Sequence, residues 1–240
     1  MIFSFKQFDV KHNESLLKVN TDAVLLGALV QSDTSQQKIL DIGTGCGVIA
    51  LMLAQKFETA KIDALDIDSL SALEAAYNFT HSPFASRLQA YPIALQNYNH
   101  NTLYNIIVSN PPFFEVPDFS KGKNRQDISE TRKKYATQYN LNFQELIANA
   151  VRLLTNEGVF WVIIPFLSKA EFLSICLNYN LHLQQEILIR SKIGNPFHRS
   201  VLCIAKEEKR NILQRILTIY NLDGSRHSEY VEVTKEFYRE

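Results

Sequence analysis

Lys38-Ile39-Leu40-Asp41-Ile42-Gly43-Thr44-Gly45-Cys46-Gly47 carries a short apolar run straight into alternate glycines, and an apolar helical stretch over 48–57 follows. A run without polar alternation reads as a strand covered on both faces, the kind found in parallel sheets. The glycines allow a tight turn and leave bare backbone for a ligand beside the start of the helix. Strand, turn and helix then recur: strand 62–67, helix 69–79, strand 88–91, strand 106–108, helix 142–154, strand 159–164, helix 168–178, and two successive strands, 181–189 and 200–205. This alternation predicts an α/β protein with a doubly wound, mainly parallel, seven-stranded sheet that ends in an antiparallel edge pair.

Around that core, residues 38–206, lie a short N-terminal extension, 1–37, and a C-terminal tail, 207–240. Phe3, Phe5, Phe8 and Val10 suggest a short strand or two. Asn20, Thr21 or Asp22 can cap a helix over 23–30. In the tail a helix is expected over 211–220, then a turn at Asp223-Gly224-Ser225, with Phe237 and Tyr238 as docking points. Residues 115–139 form a long polar connection, and connections of that length inside a compact domain are usually functional or disordered.

Hydrophobic residues make up 46% of the 240, enough for a proper core. The first residues lack a signal peptide's apolar segment, and the longest apolar stretch, 159–167, is too short to span a bilayer, so a cytoplasmic protein without membrane contact is expected. Cys46, Cys176 and Cys203 are widely spaced and read as small buried residues, and neither they nor the scattered histidines show a metal-ligand pattern. No metal is expected. With 25 basic and 25 acidic residues, any nucleic-acid partner must be met by a local patch.

Two stretches carry chemistry. The first is the glycine turn, whose GxGxG spacing differs from the GxGxxG of dinucleotide enzymes. Asp41 before it would repel a pyrophosphate but welcome an α-ammonium, and Asp66 at the end of the next strand can accept ribose hydroxyls. A nucleoside carrying an amino-acid moiety, S-adenosylmethionine, suits both. Helix capping is the plainer reading of Asp68, since Ser69 opens the next helix. The second stretch is Ser109-Asn110-Pro111-Pro112-Phe113-Phe114, at the carboxyl end of strand 106–108, where open α/β sheets bind ligands. Proline stiffens this backbone and donates no hydrogen bond, which leaves neighbouring carbonyls and the Asn110 side-chain oxygen to receive a substrate NH2 group. Phe113 offers a face on which a planar base can stack.

DxGxGxG, the strand-end acid and Asn-Pro-Pro-Phe resemble the class I amino-methyltransferases, whose Rossmann-like fold the core would share. Phe5-Lys6-Gln7-Phe8, the stretch from Lys18-Val19-Asn20-Thr21-Asp22 to Gly27, Asn78 with Ser82-Pro83-Phe84, Arg132 and Pro196-Phe197-His198-Arg199 resemble more narrowly the bacterial tRNA(Val) adenine N6-methyltransferases, which modify adenine 37, next to the anticodon. The similarity reaches Phe237-Tyr238. It implies that Asp41, Gly43, Thr44, Gly45, Gly47, Asp66, Ile67 and Asn110 meet the cofactor under a roof holding Lys18, Thr21 and Asp22. It implies that Asn110, Pro111, Pro112 and Phe113 grip the target base. Two departures stand out: Ala94, followed by Leu95, occupies the place of an acid near the cofactor's adenine, and Asn105 that of an Asp before the strand.

The RNA candidates are Lys121, Lys123, Arg125, Arg132, Lys133 and Lys134, interleaved with Tyr135 and Tyr139, together with Arg190, Lys192 and Arg199 at the far edge of the sheet. A monomer or weak homodimer acting on tRNA is expected. Protein glutamine N5-methylation uses the same grip on an amide, but those enzymes usually carry a sizeable N-terminal helical domain, and only 37 residues precede the first core strand. DNA adenine methylation would need a target-recognition domain for which the chain leaves little room. A non-catalytic nucleotide- or RNA-binding module would not need Asn-Pro-Pro-Phe.

Overall fold

The computed structural model describes residues 1–15, 18–32, 37–99, 102–112 and 142–239. Its main sheet has the order β10-β8-β9-β7-β6-β3-β4-β5. The strands are β3 (Lys38–Ile42), β4 (Lys61–Asp66), β5 (Leu88–Pro92), β6 (Tyr104–Ser109), β7 (Leu154–Pro165), β8 (His182–Arg190), β9 (Phe197–Ala205) and β10 (Leu213–Thr218). Only β9 runs against its neighbours, pairing antiparallel with β7 and β8 while the other pairs are parallel. A separate hairpin joins β1 (Ile2–Ser4) to β2 (Asp9–Lys11).

Alternate residues of each central strand enter opposite core layers, which is why these strands read as unbroken apolar runs. Ile39, Ile106, Val108 and Ile163 face α1 (Thr21–Leu29) and α2 (Val48–Lys56). Leu40, Ile42, Ile107 and Val162 face α4 (Phe143–Leu153) and α5 (Lys169–Asn178). Between them, α3 (Ser69–Thr80) packs beside β4 and β5, and α6 (Ser228–Thr234) beside α1. Three helix starts carry strong side-chain caps, Asp68 and Asn20 among the expected candidates and Asn142 in addition. Asp68 caps α3 through Ser71 N–H (2.9 Å), Asn20 caps α1 through Ala23 N–H (2.9 Å), and Asn142 caps α4 through Glu145 N–H (2.8 Å). Each such cap is worth about 1 kcal/mol.

The seven expected strands are present, and an eighth comes from the tail. The helix expected over 211–220 is instead β10, parallel to β8 from Leu213↔Gln185 to Thr218↔Arg190. Ile212, Leu213, Ile216 and Leu217 mimic a helical stripe, but only Leu217 is buried, whereas Leu213 is 66% exposed. Pairing the free edge of β8 satisfies a row of backbone groups that a helix there would leave open, and that tertiary gain overrides the local pattern. Elsewhere in the tail, Gly224 (φ 91°) makes the expected turn, and Phe237 is buried against the core. All three cysteines are free and buried. Among the described residues, no helix is long and apolar enough to cross a membrane, and no cluster of three His, Cys, Asp or Glu could hold a metal.

Candidate active site at the β3–β6 switch point

β3 has β4 on one side and β6 on the other, and chain order reverses there, which opens a crevice at the strands' carboxyl ends. Ile42 pairs with Ser109, and the Ser109 hydroxyl donates to the Ile42 carbonyl (2.9 Å). The glycine turn and Asn110 therefore leave the sheet side by side.

The turn is held from below. Gly43 and Thr44 N–H both donate to the Leu65 carbonyl (2.9 Å each), and Gly45 N–H donates to Asp66 Oδ2 (2.8 Å). Gly43, Gly45 and Gly47 have φ of 72°, 56° and 83°, the left-handed region that a side chain disfavours. A Cβ at Gly47 would sit 2.5 Å from the Phe79 ring, so only glycine fits. At Gly43 a Cβ would meet nothing within 4 Å, so bare backbone faces open space there.

Two acids flank this space. Asp41 is fully buried, and its Oδ2 receives the Thr44 hydroxyl (2.6 Å). Its Oδ1 has no partner among the described residues. Burial pushes its pKa up to about 7, against the opposing pull of the Thr44 hydroxyl and the Ala50 amide. A buried carboxylate oxygen lacking a donor is costly, and a cationic or NH-bearing ligand would relieve it. Asp66 is raised to about 6, also mainly by burial. Its two oxygens hold the turn itself, Oδ2 taking Gly45 N–H and Oδ1 taking Asp68 N–H (2.9 Å). Each carboxylate oxygen still has an acceptor site to spare for a diol. Ile67 beside it is 46% exposed, on the rim. The donor set and the open glycine backbone thus fit a nucleoside with an amino-acid arm. Ala94 opens a short 3-10 turn over Leu95–Asn97, and Leu95 is buried in the core layer that faces α4 and α5. Asn105 does a structural job, accepting Lys38 N–H (3.0 Å).

The N-terminal segment is pinned to α3 by Glu74, which has little sequence signal, and by Asn78, which the resemblance marks. Glu74 is buried, and its carboxylate accepts N–H from Asn13 (2.7 Å), Glu14 (3.1 Å) and Ser15 (2.8 Å). Asn78 Oδ1 accepts Lys11 N–H (2.9 Å), while its amide donates to the carbonyls of Lys11 and Cys46 (2.8 Å each). Asn78 therefore ties this segment to the glycine turn. In a sequence Glu74 looks like an ordinary exposed helix charge, and only the three amides it serves distinguish it. Lys18 is exposed, and Thr21 is half-buried in the first turn of α1.

On the acceptor side, Asn110 and Pro112 are half-buried and Pro111 is buried. Phe113, the cations Lys121, Lys123, Arg125, Arg132, Lys133 and Lys134, and Tyr135 and Tyr139 lie outside the described residues. Asp22 does not cap α1. It pairs with Arg199, whose Nε donates to Asp22 Oδ2 at 2.8 Å, and Arg199 also bonds the His198 carbonyl (2.9 Å). Arg199 thus joins α1 to the start of β9 and is already engaged by a carboxylate. Burial and the neighbouring Arg199 charge hold the His198 imidazole below its usual pKa range, with Asp22 opposing.

Residues 18–185 match the methyltransferase small domain family. A tRNA1(Val) (adenine(37)-N6)-methyltransferase of Phocaeicola vulgatus is 39% identical, the alignment covering 98% of this chain and 97% of the relative. Proteins of the same name from Flavobacterium johnsoniae (35% identical, 99% of each chain) and Photorhabdus laumondii (34%, covering 98% and 94%) are also similar. Among solved structures, a predicted O-methyltransferase of Agrobacterium tumefaciens superposes with a TM-score of 0.69 at 17% identity, over 90% of this chain and 96% of the other, a likeness of fold. Nearly full-length identity of this order, over a chain that keeps both the glycine turn and Asn110-Pro111-Pro112-Phe113, places the chain in the family of tRNA1(Val) (adenine(37)-N6)-methyltransferases.

Proposed function

We propose that this chain transfers the methyl group of S-adenosylmethionine to the exocyclic N6 amine of an adenine in tRNA, adenine 37 of tRNA(Val). The observation that carries this reading is the Ile42–Ser109 pairing, which sets a glycine turn flanked by the buried Asp41 and the half-buried Asp66 directly beside Asn110-Pro111. Asp41 and Asp66 would bind the ammonium and ribose ends of the cofactor, with Gly43, Thr44, Gly45, Gly47 and Ile67 shaping its seat. Residues 1–37, with Lys18, Thr21 and Asp22, would close over it. The bound cofactor supplies a methyl on a positively charged sulfur, a leaving group that needs no further activation.

The chain's own work is positioning. An adenine amine is a poor nucleophile because its lone pair is delocalised into the ring. Asn110 Oδ1 and the Pro111 carbonyl each accept one N–H, which turns the nitrogen lone pair toward the methyl. Such preorganised contacts are worth about 3–4 kcal/mol each in comparable sites. Transfer of that methyl would exchange its bond to sulfur for one to nitrogen, and the surplus proton would leave the acidified nitrogen for solvent. Phe113 would stack on the base once it is splayed from its loop. Lys121 to Lys134 would meet phosphates near the base.

The test is transfer of radiolabelled methyl to bulk tRNA from cells lacking the gene, followed by nucleoside analysis. N6-methyladenosine at position 37 of tRNA(Val) is expected. Label on a protein glutamine, with none in RNA, overturns the reading.

A further inference from the structure

Beyond β7, away from the cofactor, the same edge of the sheet carries a platform whose composition the transfer chemistry does not use. The β8–β9 hairpin presents Ile193, 56% exposed, and the turn after β10 presents Leu222, 78% exposed. Leu167, just past β7, is 90% exposed beside the paired rings of Phe166 and Phe197 (centroids 5.6 Å apart). Arg190, Lys192 and Arg226 have no carboxylate within 4.0 Å among the described residues. Two acids lie nearby: Asp223, whose pKa is lowered by the Ser225 hydroxyl and amide that both engage it and, less, by the Lys192 charge, and Glu229, which accepts the Thr218 N–H (2.9 Å). Arg226 lies over the rings of Tyr220 (4.6 Å) and Tyr230 (4.4 Å).

Hydrogen bonds join the hairpin to the segment after β10. Ile219 N–H donates to the Arg190 carbonyl (3.1 Å) and Tyr220 N–H to the Ser191 carbonyl (2.9 Å), while Lys192 Nζ donates to the Leu222 carbonyl (3.1 Å). The tail is thereby welded to the hairpin. β8 lies three strands from β6, and β10 four, which at the usual strand spacing puts Arg190, Lys192 and the turn after β10 about 14–19 Å from Asn110, with Phe197 on β9 two strands away and Leu167 past β7 one strand away. That offset is too far for the reacting base but suits the strand that flanks it.

We propose that the platform built from the β8–β9 hairpin and the turn after β10 binds the RNA strand flanking the target adenine, with Arg190 and Lys192 on phosphates and Leu167, Ile193 and Phe197 against unstacked bases. The inference rests on the reading of the chain as a tRNA methyltransferase. Cations interleaved with exposed rings and aliphatic side chains are the surface a single strand requires, because phosphates demand charge while bases demand apolar faces. A protein partner would leave the unpaired cations without a role.

The experiment measures tRNA binding to the full chain by filter titration over a range of salt, with cofactor affinity and thermal melting recorded on the same proteins. Lys192→Ala and the pair Leu167→Ser/Ile193→Ser alter exposed side chains, so folding is expected to hold. Lys192→Ala should weaken binding several-fold and lower the salt slope by about 0.7–0.9, one phosphate contact. Leu167→Ser/Ile193→Ser should weaken binding with the slope unchanged. Lys61→Ala, an exposed lysine at the opposite end of β4, is the control and should change neither. If the unsubstituted chain binds and methylates tRNA but Lys192→Ala leaves affinity and slope as they were, or Lys61→Ala lowers the slope equally, the platform assignment is wrong. A chain that neither binds nor methylates tRNA overturns the functional reading as well.

Discussion

The two halves of the sheet meet at β3 and β6 yet end in opposite ways. On the β3–β4 side the strand ends are closed: Asp66 spends both oxygens on backbone amides, Asp41 is fully buried, and Glu74 and Asn78 fasten the segment above. On the β7–β9–β8–β10 side they are open, with Leu167, Ile193 and Leu222 in solvent and Arg190, Lys192 and Arg226 without a carboxylate within 4.0 Å among the described residues, although Arg199 on β9 has Asp22. The difference matches two kinds of ligand. A small charged molecule is bound by geometry fixed in advance, whereas a polyanion is bound by an exposed field that releases counterions.

Asn110 stands at the seam, and its substitution tests the division most severely. Asn110→Ala is expected to lower kcat by about 10²–10³-fold while leaving S-adenosylmethionine affinity intact, because its contact matters most in the transition state. Steady-state kinetics with calorimetry separate the two quantities, and weakened cofactor binding with normal turnover would move Asn110 to the closed side. Next comes Asp66→Ala. Loss of a hydrogen bond to a charged group, about 1.5–3 kcal/mol, should raise the apparent KM for the cofactor roughly tenfold or more, with kcat at saturation largely kept. Equal affinities in both proteins would remove the ribose assignment.

Asp41 yields a pH signature on the cofactor side. With its pKa raised to about 7, the carboxylate needed by a cationic ligand is lost as pH falls through 7, so cofactor affinity should drop by up to about tenfold per pH unit below that value. Stability of the free protein moves the other way. Between pH 4 and 7 the folded chain holds a proton on Asp41 that the unfolded chain has released, so this group's contribution to stability falls as pH rises through that window. Asp41→Asn should therefore gain in Tm relative to the parent from pH 4 to pH 7, and its residual cofactor affinity should lose the dependence on pH. A parallel pair of melting curves would mean that Asp41 titrates normally.

The smallest effect expected is at the bridge between the halves. The Asp22 and Arg199 side chains are 27% and 26% exposed, so solvent weakens the pair to about 1 kcal/mol or less. Asp22→Asn should then lower Tm by no more than about 2–4 °C. A double-mutant cycle with Arg199→Gln that gives no coupling would leave the two halves independent.

The core was legible because both faces of each central strand are covered, which turns topology into unbroken apolar runs that one dimension can display. The glycine turn was equally visible, since its left-handed residues exclude most side chains. Glu74 was invisible for the opposite reason: its partners are backbone amides, which no sequence labels. β10 misled because its apolar residues fall at helical intervals, while the free edge of β8 that recruits it becomes apparent only in three dimensions. Arg199 was legible as a cation near the crevice, but its carboxylate partner lies 177 positions away.

The hairpin at one end of the chain is fastened by the other end. Phe5 stacks on Tyr238, Lys6 N–H donates to the Phe237 carbonyl (2.8 Å), and Arg239 Nε donates to the Phe5 carbonyl across 234 positions. At ribosomal speeds of about 5–20 residues per second, those partners arrive roughly 12–47 s after Phe5 has been made. Lys11 and Phe8 need wait only for Asn78 and Phe84, which meet them through a hydrogen bond and a ring contact. The inner half of the first eleven residues can therefore find its partners early in synthesis, the outer half only after residues 237–239 have been made. Until then Phe3 and Phe5 have each other and Phe8 but lack the Tyr238 ring that completes their cluster.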